Sequence, residues 1–169
     1  MMITYPGLTK LKTKRIVYED VLLAHDSGTL EQLKELSTKR RAIEESINES
    51  SNVTQPIARE MSGGLISRFE QGIQKLENYL PLLENLVYHI DVKFNNHHTT
   101  TRRWISDLKI RWSSALASSS VFHLIGSKMY QVNDIHLELA MILSLYGAML
   151  HDRALELSSS SGKHIDILD

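Results

Sequence analysis

The stretch NDIHLELAMILSLYGAMLHDRALEL, from Asn133 to Leu157, decides the fold that this sequence predicts. Asn133 or Asp134 can cap a helix there, because a side-chain oxygen accepts a hydrogen bond from an amide that the first turn leaves unpaired. The uncharged run from Leu139 to Leu150 is too short to cross a membrane, which takes about 20 residues. We therefore predict a core helix with apolar residues around nearly its whole circumference, which needs partners on more than one side.

Length and composition indicate one domain. The chain has 169 residues, 42% of them hydrophobic, and its 19 basic and 20 acidic residues leave a net charge of -1. That balance disfavours nucleic acid as a partner. The absence of cysteine excludes disulfides and removes the commonest ligands of structural zinc. With no apolar signal segment at its start, the chain is expected to be soluble and cytoplasmic.

An extended arm and a helix are predicted for the first part of the chain. Residues 1–28 are expected to form an extended arm that lies along the surface. The extended conformation is indicated by the run from Leu11 to Asp20, which is partly β-branched. A helix from Thr29 to Asn48 should follow, with Thr29 and Gln32 spaced as a capping box. Its amphipathic stripe, at steps of three, three, seven and four, consists of Leu30, Leu33, Leu36, Ile43 and Ile47.

A second helix has the clearest apolar periodicity in the sequence, with every step three or four residues. The apolar positions are Leu65, Phe69, Ile73, Leu76, Leu80, Leu83, Val87 and Ile90. Pro81 cannot donate a hydrogen bond to the carbonyl of Glu77, so a kink or a break is expected near Tyr79 to Leu80. Two shorter helices remain an alternative to one long helix. A short helical piece from Ile57 to Met61 is predicted before it.

Short strands are predicted between residues 108 and 132, where aromatic and β-branched residues cluster. The candidate runs are Ile110–Trp112, Val121–Ile125 and Met129–Val132, with Gly126-Ser127-Lys128 spaced as a hairpin turn between the last two. Residues 158–169 are serine-rich without periodicity, so a disordered tail is expected. The predicted fold is mainly α, with a small antiparallel β element near residues 108–132.

Three motifs could be taken for binding sites and are interpreted as surface features. The triplet Lys39-Arg40-Arg41 could contact a phosphate or an acidic membrane, but Glu44 and Glu45 lie one turn away and favour a solvated, ion-paired face. Gly63-Gly64 lacks the lysine and hydroxyl residue of a phosphate loop and indicates a turn. His97-His98 has no carboxylate or cysteine at ligand spacing, so it indicates a polar loop.

Catalytic chemistry is not indicated by the sequence. Serine is abundant and there are eight histidines, but no serine lies in a Gly-x-Ser-x-Gly elbow. The carboxylate pairs Asp107 with Asp152 and Glu77 with Glu84 lie where surface charge is the usual interpretation. The sequence therefore predicts no catalytic, cofactor-binding or metal-binding residue, and a protein that is not an enzyme.

Several segments, taken in order, resemble the BRO-one domain of endosomal-sorting adaptors such as Alix, in particular the plant endosomal-targeting BRO-one-like proteins. No single segment is specific, but their order over residues 8–157 carries the resemblance. The segments are Leu11 to Lys14, the helix from Thr29 to Asn48, the helix from Leu65 to Pro81, the aromatic strand from Leu108 to Leu116 and the helix from Leu137 to Leu150.

The resemblance implies a non-enzymatic interaction module in endosomal sorting. Members of the family have a curved, tetratricopeptide-like helical bundle or solenoid that docks on endosomes by binding the C-terminal helix of an ESCRT-III subunit. Residues 29–157 would be the N-terminal part of such a domain, as in a truncated isoform. The family groove would lie beyond residue 169, so no partner-binding residue is assigned. The helix at 134–157 would then expose apolar surface, be weakly stable or need a partner.

Two other functions remain open from the sequence. The first is a small hydrolase or ligand-binding helical domain that uses a pocket beside His136 and His151, although histidines at the rim of a buried helix are more often structural. The second is peripheral binding to anionic membrane through the basic residues of the arm, which are Lys10, Lys12, Lys14 and Arg15. Such membrane binding should weaken strongly with salt.

Overall fold

Four helices and two strands make up the computed structural model of this protein, which describes residues 11–50, 68–95, 107–113 and 129–162. In chain order they are α1 (Tyr18–Val21), α2 (Ser27–Ser50), α3 (Arg68–Asn95), β1 (Ile110–Ser113), β2 (Met129–Val132) and α4 (Ile135–Gly162). The predicted mainly helical fold with a small antiparallel β element is confirmed.

The core lies between the three long helices, with α3 packed against both α2 and α4. Each helix buries an apolar stripe at helical spacing, which supplies most of the stability of such a bundle. The buried positions on these stripes are Leu33, Leu36, Ile43 and Ile47 of α2, Leu76, Tyr79, Leu83, Val87 and Ile90 of α3, and Ile135, Ile142, Leu145 and Ala148 of α4.

Helix α2 begins two residues earlier than the sequence predicted. The backbone N–H of Thr29 donates to Asp26 Oδ1 at 2.7 Å, and the Thr29 hydroxyl donates to Asp26 Oδ2 at 2.8 Å. These hydrogen bonds from Thr29 also hold the pKa of the Asp26 carboxyl below its usual value. The predicted capping box of Thr29 and Gln32 is therefore wrong, because Asp26 is the residue that caps the helix.

Helix α3 runs through Pro81 without interruption, so, of the predicted kink or break, the break is wrong. Proline inside a helix costs about 3 kcal/mol or more, since it removes one hydrogen bond and crowds the preceding turn. Tyr79, Leu80 and Leu83 lie on either side of the proline and are all buried. Burying each large apolar side chain gains about 1.5–3 kcal/mol, so packing on both sides of Pro81 outweighs the local cost.

The N-terminal arm contributes to the core instead of lying on the surface. Residues 12–14 run alongside β1, where the N–H of Ser113 donates to the Lys12 carbonyl at 2.8 Å and the N–H of Lys14 to the Arg111 carbonyl at 3.2 Å. The extended backbone turns alternate side chains inwards. The buried residues of the arm and α1 are Leu11, Thr13, Ile16, Tyr18 and Leu22.

Strands β1 and β2 pair antiparallel, with Trp112 opposite Tyr130. The indole of Trp112 is buried while Tyr130 is half exposed, so β1 is the inner strand. Val121–Ile125, expected to pair with Met129–Val132, lies outside the described residues. Of the described strands, it is β1 that pairs with β2.

The last helix starts where the sequence predicted and ends later. Asp134 caps it, because its Oδ1 accepts the N–H of His136 at 2.9 Å. Helix α4 continues to Gly162, so the expected disordered tail does not hold for residues 158–162. The motifs at Ile57–Met61, Gly63-Gly64 and His97-His98 lie outside the described residues.

Candidate interaction surface

A buried ion pair joins α2 to the inner side of α4, which is the side that packs against the rest of the protein. Arg40 Nε donates to Glu138 Oε1, and both side chains are fully buried. The other carboxylate oxygen of Glu138 accepts the indole N–H of Trp112 at 2.7 Å, and the Tyr79 hydroxyl donates to Oε1 at 3.4 Å. The Arg40 guanidinium also lies over the Trp112 ring, 5.1 Å from its centroid. One carboxylate therefore connects α2, α3, β1 and α4.

Further hydrogen bonds attach the arm and α1 to this ion pair. Arg40 Nη2 donates to Thr13 Oγ1 at 2.5 Å, and the hydroxyls of Tyr18 and Tyr79 are 2.7 Å apart. The backbone N–H of Tyr18 donates to Ser37 Oγ at 2.8 Å. Within the described part of the chain, Arg40 Nη1 is the one buried side-chain nitrogen or oxygen without a hydrogen-bond partner. We call Thr13, Tyr18, Arg40, Tyr79, Trp112 and Glu138 the buried polar cluster.

Electrostatics fix the charge state of the buried polar cluster. Burial raises the pKa of both Tyr18 and Tyr79, and the nearby Glu138 carboxylate raises them further. Burial alone would lower the pKa of Arg40, but its interactions with Glu138, Tyr79 and Tyr18 together more than offset this effect and raise the pKa. The tyrosines therefore stay neutral and the arginine stays charged across the physiological range. With all its side chains buried, the cluster holds elements together and offers no group to a substrate.

The basic triplet divides between surface and core. Arg41 pairs with Glu45 at 2.7 Å on the surface, as the sequence predicted. Lys39 pairs with Glu35 at 2.9 Å. The solvated-face interpretation is wrong for Arg40, and the seven-residue step between Leu36 and Ile43 is the signal that could have located it. Arg40 fills the helical position that this step leaves open on the buried stripe.

The charged residues of α4 are turned towards the protein. Glu138 belongs to the buried polar cluster, and Arg153 donates to Glu70 of α3 at 3.2 Å and to Glu156 at 3.0 Å. Asp152 is half-buried. These four are the Asp, Glu, Lys and Arg residues of α4, so its opposite side carries no formal charge.

The opposite side of α4 presents apolar residues to solvent. Leu143 and Leu150 are 46% and 43% exposed. They alternate with small residues at steps of three and four, which is the spacing of a helix-packing seam. We call this set the outer stripe, and its members are Ala140, Leu143, Gly147, Leu150 and Ala154. The exposed apolar surface expected on this helix is confirmed, and the described elements cover its inner side alone.

The candidate histidines do not form one pocket. His136 and His151 are separated by about four helical turns, or roughly 22 Å along α4. His136 lies with its ring nitrogens 2.8 Å from Asp134 Oδ1 and 3.2 Å from Asp91 Oδ2, and these hydrogen bonds raise its pKa. His151 lies 3.4 Å from the carboxylate of its neighbour Asp152. Each imidazole is about half exposed and has an acidic neighbour.

The carboxylates considered as catalytic pairs lie on the surface. Glu77 accepts a hydrogen bond from the Tyr146 hydroxyl at 2.9 Å, which links α3 to α4 and raises the pKa of Tyr146. Glu84 is exposed two turns further along α3, and Asp107 is exposed just before β1. Within the described ranges, no three acidic, histidine or cysteine side chains come together as a metal site.

The basic residues of the arm are exposed at Lys12, Lys14 and Arg15, while Lys10 lies outside the described residues. None of the helices in the described part of the chain is long and apolar enough to cross a membrane.

No family model, curated protein or solved structure matches the chain.

Proposed function

We propose that this chain is a non-enzymatic protein-interaction module, similar to the N-terminal part of a BRO-one domain, that docks an α-helix on the outer stripe of α4. One observation carries the proposal. The solvent side of α4 is apolar and uncharged, whereas the charged residues of the same helix face the protein. Exposed apolar surface of this kind marks interaction sites.

The spacing of the outer stripe favours a helical partner. Leu143 and Leu150 are two helical turns apart, and Gly147 lies between them. Side chains repeating at steps of three and four insert between those of a second helix that crosses at about 20°. Small residues beside the leucines let the two backbones approach closely. A peptide in the extended conformation would match every second residue and would miss this spacing.

The buried polar cluster supports the docking surface from behind. Glu138 and Ile142 lie on the inner side of the same helical turns that carry Leu143 on the outer side. Because Arg40 and Trp112 both hold Glu138, α4 is anchored to α2 and to β1. A surface on a rigidly held helix loses little conformational entropy when it binds a partner.

The endosomal part of the proposal rests on the resemblance. The order of arm, long helices, strand pair and last helix supports it, and the family binds an amphipathic ESCRT-III helix by helix-in-groove recognition. The ESCRT-III C-terminal helix is therefore the first partner to test. Because the resemblance puts the family groove beyond residue 169, the helix-docking face in this proposal is the outer stripe and not that groove.

The experiment is a binding titration with a fluorescent peptide of an ESCRT-III C-terminal helix. We expect saturable binding to residues 1–169 that Leu150→Glu weakens at least tenfold, because a carboxylate in the seam must lose its water (about 1.4 kcal/mol per factor of ten). Leu23→Glu is the matched control, since Leu23 is 59% exposed and lies far along the chain from α4. Equal binding by both variants would place the site elsewhere and contradict the proposal.

Exposure of Lys12, Lys14 and Arg15 favours peripheral contact with anionic membrane as a second candidate function. Each basic residue near such a surface contributes about 1 kcal/mol. Co-sedimentation with phosphatidylserine vesicles should therefore fall sharply between low and high salt, and glutamine at the three positions should remove it. Binding that does not respond to salt would contradict an electrostatic contact.

A further inference from the structure

We infer that the outer stripe of α4 docks against the outer stripe of a second copy of this chain, with the two helices antiparallel. The inference rests on the proposed function, because helix α4 of a second copy would occupy the same surface as the ESCRT-III helix and compete with it. It is carried by the alternation of large and small residues, which makes the stripe complementary to itself under a two-fold axis between residues 148 and 149.

The layers of such a pair match in size. Leu143 would lie opposite Ala154 of the second copy, and Gly147 opposite Leu150. The two-fold axis generates the same contacts in reverse, so four consecutive layers each combine a leucine with a small residue. Layers of constant volume fill space at the density of a protein interior.

A parallel pair of the same helices would pack badly. Leu143 would then meet Leu143, and Gly147 would meet Gly147, so crowded layers would alternate with empty ones. Overpacking and cavities both destabilise the packed state. The size pattern therefore selects the antiparallel orientation.

Charge does not oppose this contact. The Asp, Glu, Lys and Arg residues of α4 lie on its inner side, where Glu138 is paired with Arg40 and Arg153 with Glu70. Two identical outer stripes can therefore approach without bringing like charges together. The net charge of -1 adds little long-range repulsion between whole chains.

The length of the stripe sets the strength of the dimer. From Ala140 to Ala154 it spans about 21 Å of helix, which buries less than the roughly 800 Å² per partner of a standard interface. We therefore expect a dissociation constant on the order of micromolar, so that dilution separates the copies. Most chains should be dimeric at tens of micromolar, and most should be monomeric at concentrations well below the dissociation constant.

Sedimentation equilibrium over a range of concentrations tests the dimer. Wild type should show a monomer–dimer equilibrium, Leu150→Glu should remain monomeric, and Leu23→Glu should behave as wild type. A size exchange then tests the register. Leu143→Ala or Ala154→Leu alone should weaken the dimer about tenfold, whereas the double variant L143A/A154L should restore it, because both layers again pair large with small. Failure of the double variant to recover would overturn the proposed register.

Disulfide trapping tests the orientation, since the chain contains no cysteine of its own. A mixture of Gly147→Cys and Leu150→Cys chains should give a mixed disulfide, because these positions face each other across the pair. Leu143→Cys chains should not cross-link to one another, because in the antiparallel pair those positions are about 16 Å apart along the axis. Efficient cross-linking at position 143 would mean a parallel pair and would overturn the inference.

The outcomes separate this inference from the proposed function. A chain that stays monomeric at every concentration but binds the helical peptide through Leu150 would overturn the dimer and leave the docking surface intact. A monomer whose peptide binding is absent or unaffected by Leu150→Glu would contradict both. Circular dichroism and melting of each variant in dilute solution provide the control for folding.

Discussion

Both sides of helix α4 are mainly apolar, whereas an ordinary surface helix has one apolar and one polar side. The inner side includes Glu138, which is fully buried, whereas the outer side carries Leu143 and Leu150, which are nearly half exposed. The contrast teaches that side-chain polarity alone does not tell which side of a helix faces the protein. Burial is decided by whether a side chain finds a partner, and here the carboxylate finds Arg40 and Trp112.

The stability of the inner side of α4 depends on hydrogen-bond partners for both carboxylate oxygens of Glu138. Moving an isolated carboxylate out of water costs several kcal/mol, and the attraction to Arg40 offsets that cost only because hydrogen bonds satisfy both oxygens. The outer side has no such cost, but the exposed part of its leucines contributes nothing to the folded monomer until another helix covers it. We therefore expect inner-side changes to affect folding and outer-side changes to affect association.

The largest expected effect is on the buried polar cluster. Glu138→Gln should lower the free energy of unfolding by about 3–5 kcal/mol, because it leaves the Arg40 charge buried without a counter-charge. Urea denaturation followed by circular dichroism measures the change. Glu84→Gln is the control, as an exposed glutamate on α3 should change stability by less than about 0.5 kcal/mol.

Replacing both charged residues tests whether the lost ion pair causes the destabilisation expected for Glu138→Gln. The double variant Arg40→Met with Glu138→Leu should recover part of the loss seen for Glu138→Gln, since it removes the unpaired charge and keeps the volume. If Glu138→Gln alone were as stable as wild type, the buried ion pair would not be holding α2 and α4 together.

A comparison of neighbouring leucines on α4 should give the next largest effect. Leu145 is 2% exposed, so Leu145→Ala should cost about 2–5 kcal/mol through lost packing and the cavity that it leaves. Leu143→Ala should change the stability of the dilute monomer by less than about 0.5 kcal/mol. Denaturation of both variants at concentrations well below the expected dissociation constant of the dimer makes the comparison, and similar losses would show that the outer side is also packed.

The smallest expected effect concerns the pH dependence at the start of α4. The folded-state pKa of His136 is raised above its usual 6.5 by hydrogen bonds to Asp134 and Asp91. The stabilisation from the protonated ring is therefore fully present below about pH 6.5 and is lost as pH rises through the folded-state value. Because His136 is half exposed, the effect should stay below about 1 kcal/mol.

Melting curves between pH 5 and pH 9 measure this contribution. The stability difference between wild type and His136→Gln should be largest at the acidic end of that range and shrink towards the basic end. His89→Gln, on the exposed side of α3, is the matched control. A difference that grew with rising pH would contradict the proposed interaction with Asp134 and Asp91.

Much of the fold could be predicted because local patterns agree with the packing. The stripe of α3, the cap at Asp134 and the strands near Trp112 follow from periodicity, side-chain chemistry and β-propensity, which act within a few residues. Among the predictions that were wrong, those at Pro81, in the arm and at the start of α2 each left out a stronger contact. At Pro81 and in the arm, that contact came from elements distant in sequence.

The outer stripe could be predicted from the sequence only in part. The sequence predicted apolar residues all around the last helix and expected exposed apolar surface there. It did not indicate which side would be covered, because Glu138 stands among the apolar residues of the inner side. The seven-residue step at Arg40 and the single charge between Asp134 and Asp152 are the two signals that, taken together, could have identified the pair.

The sequence by itself determined the helical class, the approximate extent of the long helices and the apolar character of α4, because backbone hydrogen bonding and side-chain periodicity are local properties. Only the tertiary structure decided that Arg40 and Glu138 are buried together and that Leu143 and Leu150 face solvent. Arg40 and Glu138 lie far apart in sequence, and a charge can enter the core only where folding brings its partner within hydrogen-bond distance.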